Sequence, residues 1–222
     1  MYKFIIAVFM LALGGKAIAQ PAVSAHMKVD SLVSALNEES KKSLKAFYKD
    51  IFAMDSLAIP GLLDNMGSRN SILKNSVLSH ALVYVSKENI LNQIVDADGK
   101  TDDSIKHAIL VYTLLGIRYK FNEKSTIGIV PNKKIFPILI RDLTDTLDIS
   151  PLTGGIRHNN EIAWLAIKRW GEFDQLKDIL KGDFSAMSLE KVREIQKELL
   201  KWWNKAGNKV TWDNSLRLFT IP

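Results

Sequence analysis

The chain has 222 residues, with 30 Lys or Arg, 24 Asp or Glu, a formal net charge of +6 and no cysteine. A chain of this length can bury a sufficient core without disulfides, and the lack of cysteine excludes thiol catalysis and cysteine-ligated zinc. The basic residues are scattered among acidic ones rather than concentrated in a stripe, so the charge pattern does not support a nucleic-acid-binding surface.

Residues 1–19 have the order of a secretory signal peptide. Lys3 forms a short basic region, residues 4–13 are apolar, and Ala17-Ile18-Ala19 is a small-x-small motif that predicts cleavage before Gln20. The apolar run is shorter than the roughly 20 residues of a membrane span, so we expect no stable membrane anchor after cleavage. Removing Lys3 and Lys16 from the 30 basic side chains leaves 28 against 24 acidic ones. We therefore expect a secreted or periplasmic protein of mild positive charge.

The apolar residues of the remaining chain have helical spacing almost throughout. One such series recurs at i, i+3, i+4, i+7 and i+8 and consists of Leu44, Phe47, Tyr48, Ile51 and Phe52. The same rhythm occurs around Ala81 and in the segments Ser104–Tyr119, Glu161–Trp170 and Leu189–Trp203. Only the short stretch Thr126–Val130 has a strand-like pattern. We predict an all-α fold.

Two segments of the chain align with each other. Ala58–Met66 (AIPGLLDNM) matches Ile135–Leu143 (IFPILIRDL), and Pro60 falls on Pro137. Proline is tolerated in the first turn of a helix, so each segment predicts a short helix, followed by a longer one. Weaker copies are Asn89–Asp98 and Phe173–Asp183. Helical hairpins at spacings of roughly 30 to 45 residues are typical of α-solenoids.

These segments resemble the HEAT-repeat family. AIPGLL and IFPILI look like the first helices of its units, and Lys191–Gln196 (KVREIQ) looks like the Val-Arg opening of a second helix. The resemblance implies HEAT-like repeats over residues 55–222, with a C-terminal cap, after an N-terminal helical region at residues 20–54. The helices expected near Ser71 and Asp102 lack the Val-Arg pair, and an irregular helical bundle is the alternative fold.

Three tryptophans lie close to the end of the sequence, at Trp202, Trp203 and Trp212. The last unit of a solenoid has no neighbour to cover it, so these side chains are expected to close its apolar end. The alternative is an exposed platform for a ligand. The helix that carries the first two is expected to end near Ala206, with Gly207 as a left-handed stop.

Two patterns raise the question of a metal. Asp103 and His107 have the i, i+4 spacing of two ligands on one helix face, although a solvated ion pair has the same spacing. The acidic stretch from Asp96 evokes a calcium loop, but the positions that need an acid, glycine and glutamate hold Lys100, Thr101 and His107. We interpret the stretch as a turn, with positive φ at Gly99 and with Asp102 as the next N-cap. We predict no metal and no cofactor.

The most loop-like segment of the sequence spans residues 144–160. Gly154-Gly155 followed by Arg157 could bind an anion at the start of the next helix, whereas a plain turn would use Asn159 or Asn160 as the helix cap. Long loops often carry function. The candidate interaction residues are Asp145, Arg157, His158 and Asn159.

The HEAT-like resemblance implies a non-catalytic module that binds or scaffolds an unknown protein partner through complementary helical surfaces. The alternative is an exported hydrolase or metal-dependent enzyme with Asp145, Arg157 and His158 around the 144–160 loop. No serine nucleophile motif of the Gly-x-Ser-x-Gly type is present to strengthen this alternative.

Overall fold

A computed structural model describes residues 22–121, 128–150 and 158–222. This part of the chain is mostly helical, so the all-α fold class is confirmed. The expected signal peptide, the Gly154-Gly155 pair and Arg157 lie outside the described residues. None of the described helices is both long enough and apolar enough to cross a membrane.

The helices and strands follow one another in a simple order. The first helices are α1 (22–35), α2 (Lys41–Met54), α3 (Ile59–Asn65), α4 (Ile72–Val85), α5 (Ile90–Asp98) and α6 (Ser104–Lys120). They are followed by α7 (Ile135–Arg141), α8 (Asn159–Trp170), the single turn α9 (Lys177–Leu180) and α10 (Leu189–Ala206). Strands β1 (Thr211–Asp213) and β2 (Leu218–Thr220) form a short antiparallel hairpin at the end of the chain.

Short polar side chains cap the starts of α2, α4, α6 and α10. Ser40, Ser71 and Ser188 each accept a hydrogen bond from the backbone N–H three residues on, at the starts of α2, α4 and α10. Asp103 caps α6 by accepting from the N–H groups of Ile105 and Lys106. The prediction of Asp102 as this cap was therefore wrong by one residue.

The helices pack in two rows. The longer helices α2, α4, α6 and α8 contact one another in that order, and the short helices α3, α5 and α7 form a second row beside them. Each short helix also packs against the longer helix that follows it in sequence. The core lies between the rows and includes the fully buried Leu78, Leu91, Ile109, Leu114 and Leu139.

The two aligned prolines occupy similar places in this arrangement. Pro60 is the second residue of α3, and Pro137 is the third residue of α7. Both helices have seven residues, and they pack against α4 and α8, respectively. The missing N–H of proline falls in the first turn, where it breaks no helical hydrogen bond.

The strand-like stretch Thr126–Val130 is described only from Gly128 onward, and residues 128–130 have no regular secondary structure. The Val130 N–H donates to the Glu88 carbonyl at 2.7 Å. This contact ties the segment to the turn before α5.

Two glycines expected to have positive φ are right-handed. Gly207 has φ −61° and ψ −26°, although α10 ends at Ala206 as predicted. Gly99 has φ −69° and ends α5 without a left-handed turn. The need for glycine at 207 is steric, because an added Cβ would come within 2.8 Å of the Trp203 ring.

The three C-terminal tryptophans are all partly buried rather than fully enclosed. Trp203 packs on Phe136 with ring centroids 5.7 Å apart, and Trp212 packs on Phe219 at 5.0 Å. Trp212 lies opposite Phe219 in the hairpin, which holds Phe219 in the core at 2% exposure. Trp202 packs beside Phe173, with ring centroids 4.8 Å apart.

Candidate functional site

The structure describes three of the four residues predicted at the 144–160 loop, namely Asp145, His158 and Asn159. Asp145 accepts from the Leu147 N–H at 3.0 Å and from the Asn159 side-chain amide at 2.8 Å. The His158 ring nitrogen Nδ1 lies 3.1 Å from the Thr146 carbonyl oxygen. In the described part of the loop, Asp145 and Asn159 are therefore joined, while His158 has a different partner. Neither Asn159 nor Asn160 caps α8, because His158 holds the N-cap position and both asparagines are buried in the first turn.

Asn159 extends this contact into a larger polar network. Its side-chain amide also donates to Asp142 at 3.1 Å, and Asp142 accepts from the Arg141 Nε at 2.6 Å. Arg141 donates two further hydrogen bonds to Asp98, each of 3.0 Å, in a bidentate arrangement. Asp98 in turn lies 2.7 Å from the Nδ1 atom of His107.

The network corrects the interpretation of Asp103 and His107. Asp103 caps α6 and also accepts from the Ser68 N–H at 2.7 Å, whereas His107 turns toward Asp98. Among the described residues, no group of three or more histidine, aspartate or glutamate side chains is arranged to hold a metal ion.

The electrostatics of the network follow from burial and pairing. Burial raises the pKa of the Asp142 carboxyl, although the neighbouring Arg141 acts in the opposite direction. Burial disfavours the charged form of Arg141, but its hydrogen bonds to Asp98 and Asp142 outweigh this effect and raise the guanidinium pKa. Arg141 therefore stays charged and holds two buried carboxylates together.

This network ties four helices into one unit. Asp98 ends α5, His107 lies on α6, Arg141 ends α7 and Asn159 begins α8. Most of its polar groups are already bonded to one another, which is the pattern of a structural network. The exceptions are the side-chain oxygens of Asn159 and Asn160, which are buried without a hydrogen-bond partner in the described structure.

Sequence reasoning missed Asp98, Arg141 and Asp142 as members of this network. One signal was available: Asp142 aligns with Asn65, and Asp98 also ends one of the repeated short segments. Polar side chains therefore recur at the ends of α3, α5 and α7. Asn65 makes an analogous contact, donating to Asp30 of α1 at 2.6 Å.

A second candidate site is an open groove between α10 and the last residues of the chain. Its volume is about 640 Å³, within the range of about 300 to 1,000 Å³ that is usual for ligand sites. Trp202, Ile179, Ala206 and Ile221 supply apolar surface to it. The Trp202 indole N–H donates to the side chain of Gln175 at 3.0 Å, which fixes the ring on the groove wall.

Three lysines line the same groove. Lys201, Lys205 and Lys209 are all exposed, and Glu198 is the acidic residue beside them. None of the ion pairs found in the described residues includes any of the three lysines. The groove therefore combines an apolar floor with three lysines that form no ion pair among the described residues, and Glu198 only partly offsets their charge. We call it the lysine groove.

The lysine groove continues into a second cavity of opposite charge. This cavity has a volume of about 600 Å³ and shares Gln175, Ile221 and Pro222 with the lysine groove. Its acidic lining residues are Glu172, Asp174 and Asp213, of which Glu172 and Asp174 form ion pairs with Lys177 at 3.8 and 2.5 Å. The two cavities thus form one surface feature whose charge changes sign along its length.

Comparisons of the chain with protein-family models, with curated proteins and with solved structures found no match. The resemblance to HEAT repeats therefore depends on the sequence patterns alone.

Proposed function

We propose that this chain is an exported, HEAT-like helical-repeat protein that acts as a non-catalytic protein-binding or scaffolding module. Its binding site in this proposal is the lysine groove. The partly exposed Trp202, set among three lysines without a carboxylate partner, is the observation that carries the proposal. Tryptophan is one of the residues enriched at the energetic centres of protein interfaces, and charged groups around such a centre favour partners of opposite charge.

The packing of the helices supports the repeat part of the proposal. The short helices α3, α5 and α7 each precede a longer helix. The short helices contact one another in sequence order, and so do the longer helices. Stacked helical hairpins would give this pattern, and an irregular bundle would not require it. On this account α10 and the C-terminal hairpin cap the last unit, and Trp203 and Trp212 cover its apolar end.

The state of the buried network favours binding over catalysis. Its two buried carboxylates, Asp98 and Asp142, both accept hydrogen bonds from Arg141 and are therefore not free to act in catalysis. Asp145 and His158, the residues of the hydrolase alternative that the structure describes, bond to separate partners. We therefore do not carry the hydrolase alternative further.

Export is a separate part of the proposal and rests on the signal-peptide pattern of residues 1–19. Mass spectrometry of the protein from its own host should find Gln20 at the mature N-terminus, either as glutamine or in its cyclised form. An intact Met1 on the exported protein would contradict this.

Selection from a library of displayed random peptides tests the binding proposal. The mature chain should enrich peptides that lose binding when Lys205→Glu reverses one groove charge. Lys45→Glu on α2 is the matched control, because Lys45 is equally an exposed helical lysine outside the groove. Enriched peptides that bind Lys205→Glu as well as the unchanged chain would overturn the proposed site.

A further inference from the structure

We propose that the lysine groove recognises an extended acidic segment of a protein, in which acidic residues alternate with apolar ones. This inference rests on the proposed function and adds the chemistry of the partner. It follows from the charge, the spacing and the floor of the groove, and from the acidic cavity at its end.

The positive charge of the groove favours a bound segment with acidic side chains. Three lysines and one glutamate line it, which leaves two net positive charges on the wall. The lysines project from one side of α10 and the turn that follows it, since Lys201 and Lys205 are four residues apart. A segment with carboxylates facing this wall would be attracted to it, and the attraction would be screened by salt.

The spacing of the lysines favours an extended segment in which every second residue is acidic. An α-helix rises about 1.5 Å per residue, so Lys201 and Lys205 lie about 6 Å apart along α10. In an extended peptide, every second side chain is on the same side, at intervals of about 6.6 Å. Acidic residues at every second position therefore match Lys201 and Lys205, whereas adjacent acidic residues point to opposite sides.

The floor of the groove accounts for the apolar positions between the acids. Ile179 and Ile221 line the groove from outside the helix that carries Lys201 and Lys205, and both present partly exposed apolar surface. The intervening side chains of an extended segment would face this surface and bury it. This apolar burial gives the segment an attraction that salt does not screen.

The neighbouring acidic cavity distinguishes a protein segment from a nucleic acid. A single-stranded nucleic acid needs a positively charged groove along its whole backbone. Here the positive wall gives way to Glu172, Asp174 and Asp213. The described lining of this cavity contains no basic residue, so a polyanion would find no positive groove there, whereas the charge of a peptide can change from one residue to the next.

Isothermal titration calorimetry with defined peptides tests the inference. The probes are a peptide in which glutamate alternates with valine, a peptide of the same composition with glutamates and valines in two blocks, and an alternating peptide with glutamine for glutamate. The alternating acidic peptide should bind most tightly, and its affinity should fall as sodium chloride is added. Equal affinities for the alternating and block peptides, or for the glutamate and glutamine peptides, would overturn the inference.

Matched protein variants locate the effect. The triple variant Lys201→Gln, Lys205→Gln, Lys209→Gln should bind the alternating acidic peptide roughly eightfold more weakly, because each exposed charge pair contributes a factor of about two. The control variant Lys41→Gln, Lys42→Gln, Lys45→Gln removes the same charge from exposed positions on α2 and should bind like the unchanged chain. An equal loss in both variants would show a general charge effect and contradict the inference.

Two outcomes separate this inference from the proposed function. If neutral peptides selected from the library bind at the groove as tightly as acidic ones, the partner chemistry is wrong and the binding site stands. If neither the selected nor the designed peptides respond to changes in the groove, the proposed function itself is wrong. Binding of single-stranded oligothymidine as tight as that of the alternating peptide would also contradict the inference.

Discussion

Arg141 holds Asp98 through two parallel hydrogen bonds of 3.0 Å, which join the end of α7 to the end of α5. Asp98 is 7% exposed, while the Arg141 side chain is 43% exposed. The carboxylate is therefore the more deeply buried partner of the pair. Bidentate pairing of this kind fixes geometry as well as charge.

Asp98→Asn should therefore destabilise the fold. The substitution keeps the size of the side chain but removes the charge that Arg141 pairs with, and hydrogen bonds to charged groups contribute about 1.5 to 3 kcal/mol. Urea unfolding should show a loss in this range. Asp178→Asn breaks the exposed pair with Lys181 and should leave the unfolding midpoint unchanged. A similar small effect from both variants would mean that the network does not stabilise the protein.

Asp142 should make stability depend on pH in a definite direction. Burial raises its pKa in the folded state, so between the ordinary value of about 4 and the raised value the folded chain keeps a proton that the unfolded chain has lost. The free energy of unfolding therefore falls as the pH rises through this window and recovers on acidification.

Comparison with Asp142→Asn isolates this dependence, because the other titrating groups are shared. The wild type should gain stability relative to the variant as the pH is lowered from about 7 to about 4. A relative loss on acidification would mean that Arg141 dominates and that the Asp142 pKa is lowered instead.

Gly67 should not tolerate a side chain. Its φ is +133°, and an added Cβ would lie 2.5 Å from the Asp103 carboxylate that caps α6. Gly67→Ala should cost about 1 to 3 kcal/mol in unfolding free energy. Gly99→Ala is the control, since φ is −69° there and the nearest atom to the new Cβ is 3.5 Å away. That control should be neutral or stabilise by up to about 1 kcal/mol; equal effects at both positions would contradict the account.

Phe219 should be the main contact between the C-terminal hairpin and the helices. Its ring packs on Phe136, Trp170 and Trp212, and it is 2% exposed. Phe219→Ala should cost about 3 to 5 kcal/mol by differential scanning calorimetry, as large core truncations do. Leu216→Ala, at 48% exposure, should change the stability by less than about 0.5 kcal/mol.

Truncation of the chain before Lys209 removes the whole hairpin, including Phe219 and Trp212, and should cause aggregation or a large drop in melting temperature. An unchanged melting temperature would show that the hairpin does not cap the helices, and the tryptophans would then have to be assigned to ligand binding alone.

Periodicity in the sequence predicted helices in the right places because apolar spacing is a local property. The series from Leu44 to Phe52 became the buried side of α2, and α10 ended at Ala206 as expected. The proline segments predicted two short helices for the same reason.

Side-chain partners were not predictable in this way. Asp98 and Arg141 are 43 residues apart in sequence, and nothing local in either segment identifies the other. The i, i+4 spacing suggested Asp103 for His107, but Asp103 is occupied by backbone N–H groups at the start of α6. Gly67 was not predicted as a constrained position either, because the Asp103 carboxylate that leaves no room for a Cβ there comes from a distant part of the chain.

The sequence did not predict the lysine groove itself. It offered an exposed ligand platform only as the alternative to a capping role for the tryptophans. The sequence placed Trp202 and Trp203 on different sides of one helix, since adjacent residues are about 100° apart. Both are partly buried, and the surroundings of each depend on residues from distant parts of the chain: Phe136 packs against Trp203, and Phe173 packs against Trp202 at the groove. In the sequence the three lysines are part of a scattered distribution of charge. Only the folded structure shows that they border one cavity.

The most direct test of the binding site is the amide and indole nitrogen–proton correlation spectrum of the labelled mature chain, recorded while a library-selected peptide is added. The indole N–H signal of Trp202 should move, because the ring borders the lysine groove and its N–H contacts Gln175. Backbone signals of α10 near Lys205 should move with it, while the indole signal of the buried Trp170 should not. Binding that leaves the Trp202 signal in place and shifts residues of the 144–160 loop instead would contradict the account.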